Sequence, residues 1–442
     1  MTHRLDINKV GFKLFLTSLV VIFISALSQI AFADALLDAG YIINTKMKAL
    51  AASISVAQED GAAEIKAIRM ADSLPSDFIP SDINTVSALQ SSEPIYIFFD
   101  NENDAGIIYF YTNDDTIIMN PYSGMMFYDC KALTDISGVA GWNSSQVISM
   151  YGMFNGAKCL PDALAIKNWD TSSVTDMSYL FSDNISLKFV DVSNWNTSNV
   201  TNMTCMFQVG ESWNANGQLI EINGLSNLDV SNVTDMTCMF YGASQMTYYD
   251  ISRWDVSKVQ SMNHMFCDNS NLKSLDLSGW NVSSLKTILD MFDDCYALVT
   301  IGDVSHWNTI NLIDAGGWLN ECSSFVGNNE GLLDLSGWNT SHLKAAGEMF
   351  SSTKVRTVDL SGWTFDSITN ELWEGAGRGI YYETGNSTEG YRGLSQMFKY
   401  TSKMTHVYIS QSGLDSYNKA VENGVETMNM WLGSKSNGFT VK

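Results

Sequence analysis

Between residues 121 and 410 two patterns of apolar positions follow one another, and the pair returns about every 26 residues. One unit can be read from Leu272. Leu272-x-x-Leu275-x-Leu277 alternates apolar with polar, as a short strand with Leu275 and Leu277 turned inward does. Asn281-Val282-Ser283-Ser284 then offers side-chain oxygens for a helix start. Leu285, Ile288, Met291 and Phe292 follow on what would be one face of a two-turn helix. Asp293-Asp294-Cys295 turns the chain toward Leu298, where the next unit begins. The unit near Leu187 repeats the scheme with Val190, Val192, Trp195, Val200, Met203, Met206 and Phe207. A strand and helix this short cannot bury both faces alone, so each coil needs its neighbours.

Two large marks fix the repeat. Trp142, Trp169, Trp195, Trp254, Trp280, Trp307, Trp338 and Trp363 share one slot, with Leu228 taking it once. Eleven residues on come Met153-Phe154, Leu180-Phe181, Met206-Phe207, Met239-Phe240, Met265-Phe266, Met291-Phe292, Trp318-Leu319 and Met349-Phe350. After Trp363 the pair is delayed to Met397-Phe398, which implies an insertion around 366–391. Self-similarity at such a period means stacked coils or blades. Both marks fall in inward slots, so they read as core rather than as a sugar-stacking platform.

The run Leu272-x-x-Leu275-x-Leu277-x-x-Trp280 resembles the leucine-rich-repeat signature, with Trp where Asn or Cys usually stands. With Val233-Thr-Asp-Met-x-x-Met-Phe240 and Phe292-x-x-Cys295-x-x-Leu298, it is similar to the repeats of BspA-like bacterial surface proteins over residues 121–410. That resemblance implies a leucine-rich-repeat fold, export, and a role in adhesion or ligand binding, without naming a ligand. This chain departs from the pattern in insertions near 208–218, 320–330 and 366–391, and in showing no wall-sorting tail.

The expected fold is an α/β repeat solenoid, a leucine-rich-repeat-like curved stack with a parallel concave sheet and short helices on the convex side. Strands stack at about 4.8 Å whereas helices need about 10 Å, and that mismatch bends the stack. Residues 1–33 read as an export signal: Arg4, Lys9 and Lys13 precede the apolar run Leu14–Leu27, and Ala31-Phe32-Ala33 offers a cleavage pattern. An uncleaved anchor is the other reading of that run. Residues 34–94 read as a helical segment and linker, and 95–120 as a hairpin cap with strands at 95–99 and 107–111. The solenoid spans 121–410, with 406–410 as its last strand and 411–442 as a C-terminal cap.

Composition narrows the function. A net charge of -23 repels phosphate backbones and anionic membrane surfaces, so nucleic acid is excluded as a partner, and no membrane insertion is expected after signal cleavage. The chain has 7 cysteines, an odd number that leaves at least one thiol free or paired between chains, and they show no metal-ligand spacing. Cys205 and Cys238 share a slot in adjacent coils, as do Cys295 and Cys322. Stacking brings each pair within disulfide reach, and buried free thiols are the equal alternative. His264, His306, His342 and His406 fall at unrelated positions, and no HExxH, G-x-S-x-G or phosphate loop occurs, so no enzyme and no cofactor are expected.

Two surfaces remain for binding. Between the inward strand residues, an outward position holds Asp191, Asp250, Asp276, Asp303, Asp334 and Asp359, while Gly138, Ala165 and Gly224 take it elsewhere. One reading is a stack of carboxylates that associates with Ca²⁺ and recognises a basic partner. The other is that each Asp bonds backbone amides in its own turn. The insertion 366–391 carries Trp373, Tyr381, Tyr382 and Tyr391, either a binding loop or a structural flap. Asp100–Gly106 resembles a calcium loop in composition, but its Gly comes one position late and Tyr111 replaces the closing Glu, so a plain turn is expected. Together these features give an exported protein, secreted or on a bacterial cell surface, that recognises extracellular protein or glycan as adhesins do. The alternative is a passive, self-associating component of a surface layer or matrix.

Overall fold

The structure is a computed structural model and describes residues 35–54, 64–102, 105–210, 217–328, 331–369, 393–425, 428 and 439–442. The expected export signal, residues 1–33, lies outside them. Helix α1, Gly40–Ile54, buries Ile43, Met47 and Ala51, one stripe at a spacing of four. Strands β1 (Ala67–Met70), β2 (Tyr96–Asp100) and β3 (Ile107–Tyr111) form a sheet in the order β1-β3-β2. β2 and β3 pair antiparallel around Asp100–Gly106. β1 lies parallel to β3, and Ala67 also bridges Asp135, which joins this sheet to the first coils. Helix formation was expected over the first part of 34–94, but Ala67–Met70 pairs with β3 as a strand instead, with Ala67 and Ile68 buried.

From Tyr122 onward the chain returns to itself along two parallel ladders. The first contains the expected strands: β4 (Phe189–Asp191) with β5 (Glu221–Asn223), then β6 (Leu332–Asp334), β7 (Thr357–Asp359) and β8 (His406–Ile409) in that order; β8, expected to be the last, is followed by β9 (Thr440–Val441). Single parallel bridges extend it, Asp162 to Phe189 and Ser274 to Thr300. The second ladder runs without a break through Tyr122, Ser149, Asp176, Asn202, Asp235, Ser261, Thr287, Asp314 and Ala345.

This second ladder replaces the helices expected behind the strands. Among the described residues between 121 and 410, the only helical segments are the 3₁₀ turns Ser137–Val139, Leu164–Ile166 and Leu225–Asn227. Leu285–Phe292, read as a two-turn helix, contains none. Its amides show why. Ile288, Asp290, Phe292 and Asp294 donate to the carbonyls of Asp314, Gly316, Trp318 and Asn320 on the next coil. Met291, Asp293 and Cys295 close tight turns onto the third residue before each. A helix would spend every amide within itself, whereas here half of them stitch coil to coil.

The core is made of the two marks. Every Trp of the repeat is buried. The indole N–H of Trp169, Trp195, Trp254, Trp280, Trp307, Trp338 and Trp363 donates to a carbonyl of the preceding coil at 2.9–3.3 Å. Phe127, Phe154, Phe181, Phe207, Phe240, Phe266 and Phe292 stack in sequence, with centroids 5.2–5.9 Å apart and rings within 17° of parallel. Each such pair contributes about 0.5–1.5 kcal/mol beyond its buried area. Beyond the coils, helix α2 (Gln411–Glu422) starts at Ser410, whose hydroxyl accepts from the Gly413 amide. No helix among the described residues is long and apolar enough to cross a membrane.

Candidate functional site

The first ladder carries the aspartates singled out above. The Oδ1 atoms of Asp191, Asp276, Asp303, Asp334 and Asp359 accept the amide of the serine two residues on, at 2.9–3.1 Å. Each thus builds the local turn that ends its strand. At Asp191 and Asp303 those bonds favour the charged form. The Ser193 hydroxyl and amide hold Asp191 below the usual carboxylate range despite partial burial, and the Ser305 amide does the same for Asp303. Asp250 is exposed on the same coil face.

The six are not one evenly stacked column. Asp334 and Asp359 are register partners, and Asp359 is the partner of Tyr408. Asp191 stands opposite Asn223, not another carboxylate. Asp276 faces Gly302: a Cβ there would lie 2.6 Å from Asp276 Oδ1. Asp303 comes one residue later, its amide donating to Ser278 Oγ at 2.9 Å. Gly302 has φ +80°, as does Gly224 in the coil after Asp191, so an extra residue bulges out where glycine alone is comfortable. Counting back from Trp307 therefore aligns Asp303 with Asp276, whereas the backbone does not.

Trp373, Tyr381, Tyr382 and Tyr391 of the insertion lie outside the described residues. In the Asp100–Gly106 turn, Asp100 Oδ1 accepts the Glu102 amide at 2.8 Å and Asn101 Oδ1 accepts the Gly106 amide at 3.2 Å. Both carry out the work of a turn. Among the described residues, no group of three or more His, Cys, Asp or Glu side chains is arranged to hold a metal ion.

A second row was not recognised in the sequence. Tyr179, Cys205, Cys238, His264 and Asp290 take equivalent places in successive coils beside the second ladder, the amide of each of the first four donating to the carbonyl just before the next member. All five have left-handed φ, between +51° and +58°. Side chains other than glycine, Asn and Asp seldom adopt it, and the amides of these residues, bonded to the next coil, hold them there. His264 is thus not at an unrelated position. It sits in the slot ten residues after the Trp mark, and its Nδ1 lies 3.7 Å from Asp290 Oδ2. The shared interval from Trp169, Trp195, Leu228, Trp254 and Trp280 was the available signal.

Of the seven cysteines, all but Cys159 are buried. Cys295 and Cys322 do not pair with each other. Their thiols donate to the carbonyls of Phe266 and Phe292 at 3.1 Å, taking the place that the Asn184 and Asn269 amides fill elsewhere. Burial, with nearby carboxylates, pushes both thiols well above the usual range.

A family model described as a Mycoplasma protein of unknown function, DUF285, matches residues 123–223, 217–332 and 302–372. The chain belongs to this family. Three successive matches to one model restate the internal repetition, and they cover the coils from the first Phe of the ring stack to beyond the last Trp mark. No curated protein matches the chain. Among solved structures, a chain of the Toll–Spatzle complex of Drosophila is similar at 13% identity, over 67% of this chain and 40% of that one. Its TM-score is 0.20, and this chain spans less than half of its length.

Proposed function

We propose that the protein is an exported repeat solenoid of the leucine-rich, BspA-like kind that binds an extracellular protein or glycan through its aspartate-bearing face and performs no catalysis. The observation that carries this reading is the contrast between the two ladders' surroundings. Tryptophan and phenylalanine are spent on the core, while Asp250, Asp276 and Asp303 stay at the surface on a backbone held rigid by coil-to-coil hydrogen bonds. A scaffold of this kind presents charge at fixed spacing with little ordering cost on binding. A net charge of -23 favours a basic partner surface. Repetition argues against chemistry, because a residue recurring in several coils is a poor candidate for a unique acid or base.

The second reading, end-to-end self-association in a surface layer, is favoured by one feature. β9 lies at the edge of its sheet among the described residues, with Val441 exposed. Probing extracellular-matrix proteins and glycans arrayed on a surface with the full chain separates the two. Retention that falls at least about tenfold in the double variant Asp276→Asn, Asp303→Asn is the expected result. Retention unchanged by that variant sinks the reading, and mass growing with concentration in light scattering supports self-association instead.

A further inference from the structure

At the far end of the aspartate ladder the chain places one of its own cations. Lys442 Nζ forms an ion pair with Asp359 Oδ2 and lies 4.1 Å from the centroid of the Tyr408 ring. The arrangement is more than a chance surface pair. Asp359 and Tyr408 are register partners on β7 and β8, so carboxylate and ring are set side by side by the backbone. Ser361 occupies Asp359 Oδ1, which leaves Oδ2 for the ammonium. Asp334 stands next along the ladder. Lys442 itself is delivered by a strand: Thr440 and Val441 pair with Tyr408 and Ile409, and the Lys442 amide donates to the Ile409 carbonyl at 2.9 Å. The Asp359 side chain is 7% exposed beneath a lysine side chain that is 47% exposed.

We infer that Asp359 and Tyr408, flanked by Asp334, form a binding site for the lysine of an extended partner segment, and that Lys442 fills this site in cis. Carboxylate and aromatic face together select a cation: the ring's negative face attracts the ammonium, and the half-buried setting strengthens both contacts. Parallel pairing along β8 adds main-chain recognition, so the ligand is a peptide that continues the sheet and presents lysine after two extended residues, not a free amine. Burial alone would raise the Asp359 pKa, but the Lys442 and Ser361 hydrogen bonds keep it below the usual range, as an occupied cation site requires. The inference rests on reading the aspartate face as a binding face. It adds that one part of that face is occupied by the chain itself, which lowers its apparent affinity by the fraction of time it is free.

The probe is an acetylated, amidated peptide of sequence Gly-Phe-Thr-Val-Lys, titrated calorimetrically into the full chain, with a norleucine-ended peptide as control. Lys442→Met, which removes the ammonium that helps hold β9 on β8 and so lets the peptide displace it, is expected to bind the lysine peptide at least about tenfold more tightly than the unsubstituted chain. The control peptide is expected to bind neither. Adding Asp359→Asn or Tyr408→Leu to Lys442→Met should each reverse the gain. Tyr408→Leu leaves the buried carboxylate and its turn in place, so it still reads the site if Asp359→Asn fails to fold. Equal affinity in the unsubstituted chain and Lys442→Met, or binding of the norleucine peptide, overturns the inference. Because the array experiment depends on Asp276 and Asp303, one result can fail while the other stands.

Discussion

Trp280 shows how single residues set this fold. Its indole is buried, and its N–H reaches back to the Ile251 carbonyl of the coil before it at 3.1 Å. One side chain therefore both fills the core and fastens two coils in register. Trp280→Phe keeps an aromatic ring but loses the donor and leaves a cavity. It should cost about 2–3 kcal/mol, read as a lower urea midpoint at unchanged slope. A loss under about 0.5 kcal/mol would mean that the indole bond contributes nothing. Leu228 is the natural exception, with no polar atom to make this bond. The Trp and Phe slots were legible from the sequence because burying large apolar surface dominates the energy of each coil and recurs from coil to coil.

At the scale of the element, the short stretches after each Trp behave differently from their apolar spacing. Leu285, Ile288, Met291 and Phe292 fit a helical face, yet the chain lies along its neighbour. The reason is the left-handed residues Asp290 and Asp294, which reverse the chain twice and keep apolar residues inward without helical hydrogen bonds. Such positions are poorly readable in a sequence that fills one slot with Tyr, Cys, His and Asp in turn. The bulge at Gly302 is a second local decision. Gly302→Ala puts a Cβ against Asp276 Oδ1 in a left-handed conformation, and a loss of about 1–3 kcal/mol is expected in thermal or urea unfolding. Gly141→Ala, with open space around its Cβ, is the control and should be near neutral. If both are neutral, the bulge is not constrained as described, and Asp276 and Asp303 are free to align.

For the whole molecule the consequence is a stability that depends on acidic pH in two directions. Hydrogen bonds from Ser172, Ser193, Ser257 and Ser305 hold Asp170, Asp191, Asp255 and Asp303 low. Their contribution is present above the ordinary Asp pKa of about 4 and is lost as pH falls below it. Burial pushes Asp176, Asp268 and Asp293 up, the last helped by Asp290 and Asp294. Ionising these three opposes folding, so stability rises as pH drops from neutral toward about 4. The melting temperature should therefore climb gently between pH 7 and about 5, then fall below about 4. Asp293→Asn should flatten the climb and leave the acid limb in place. A melting temperature that falls steadily from pH 7 downward would contradict the raised group.

The period, the inward Trp and Phe and the strands at Phe189–Asp191 and His406–Ile409 were determined by the sequence alone, which for the aspartates left a turn as one of two readings. Each follows from side-chain volume, alternation or a bond reaching two residues along the chain. What the tertiary structure decided was every relation between coils: the bulge at Gly302 that sets Asp303 off from Asp276, the row that brings His264 beside Asp290, and the placing of Lys442 on Asp359. Local pattern carries no information on these, because the groups that meet are a coil or more apart. They meet only once the amides of one turn have chosen the carbonyls of the next.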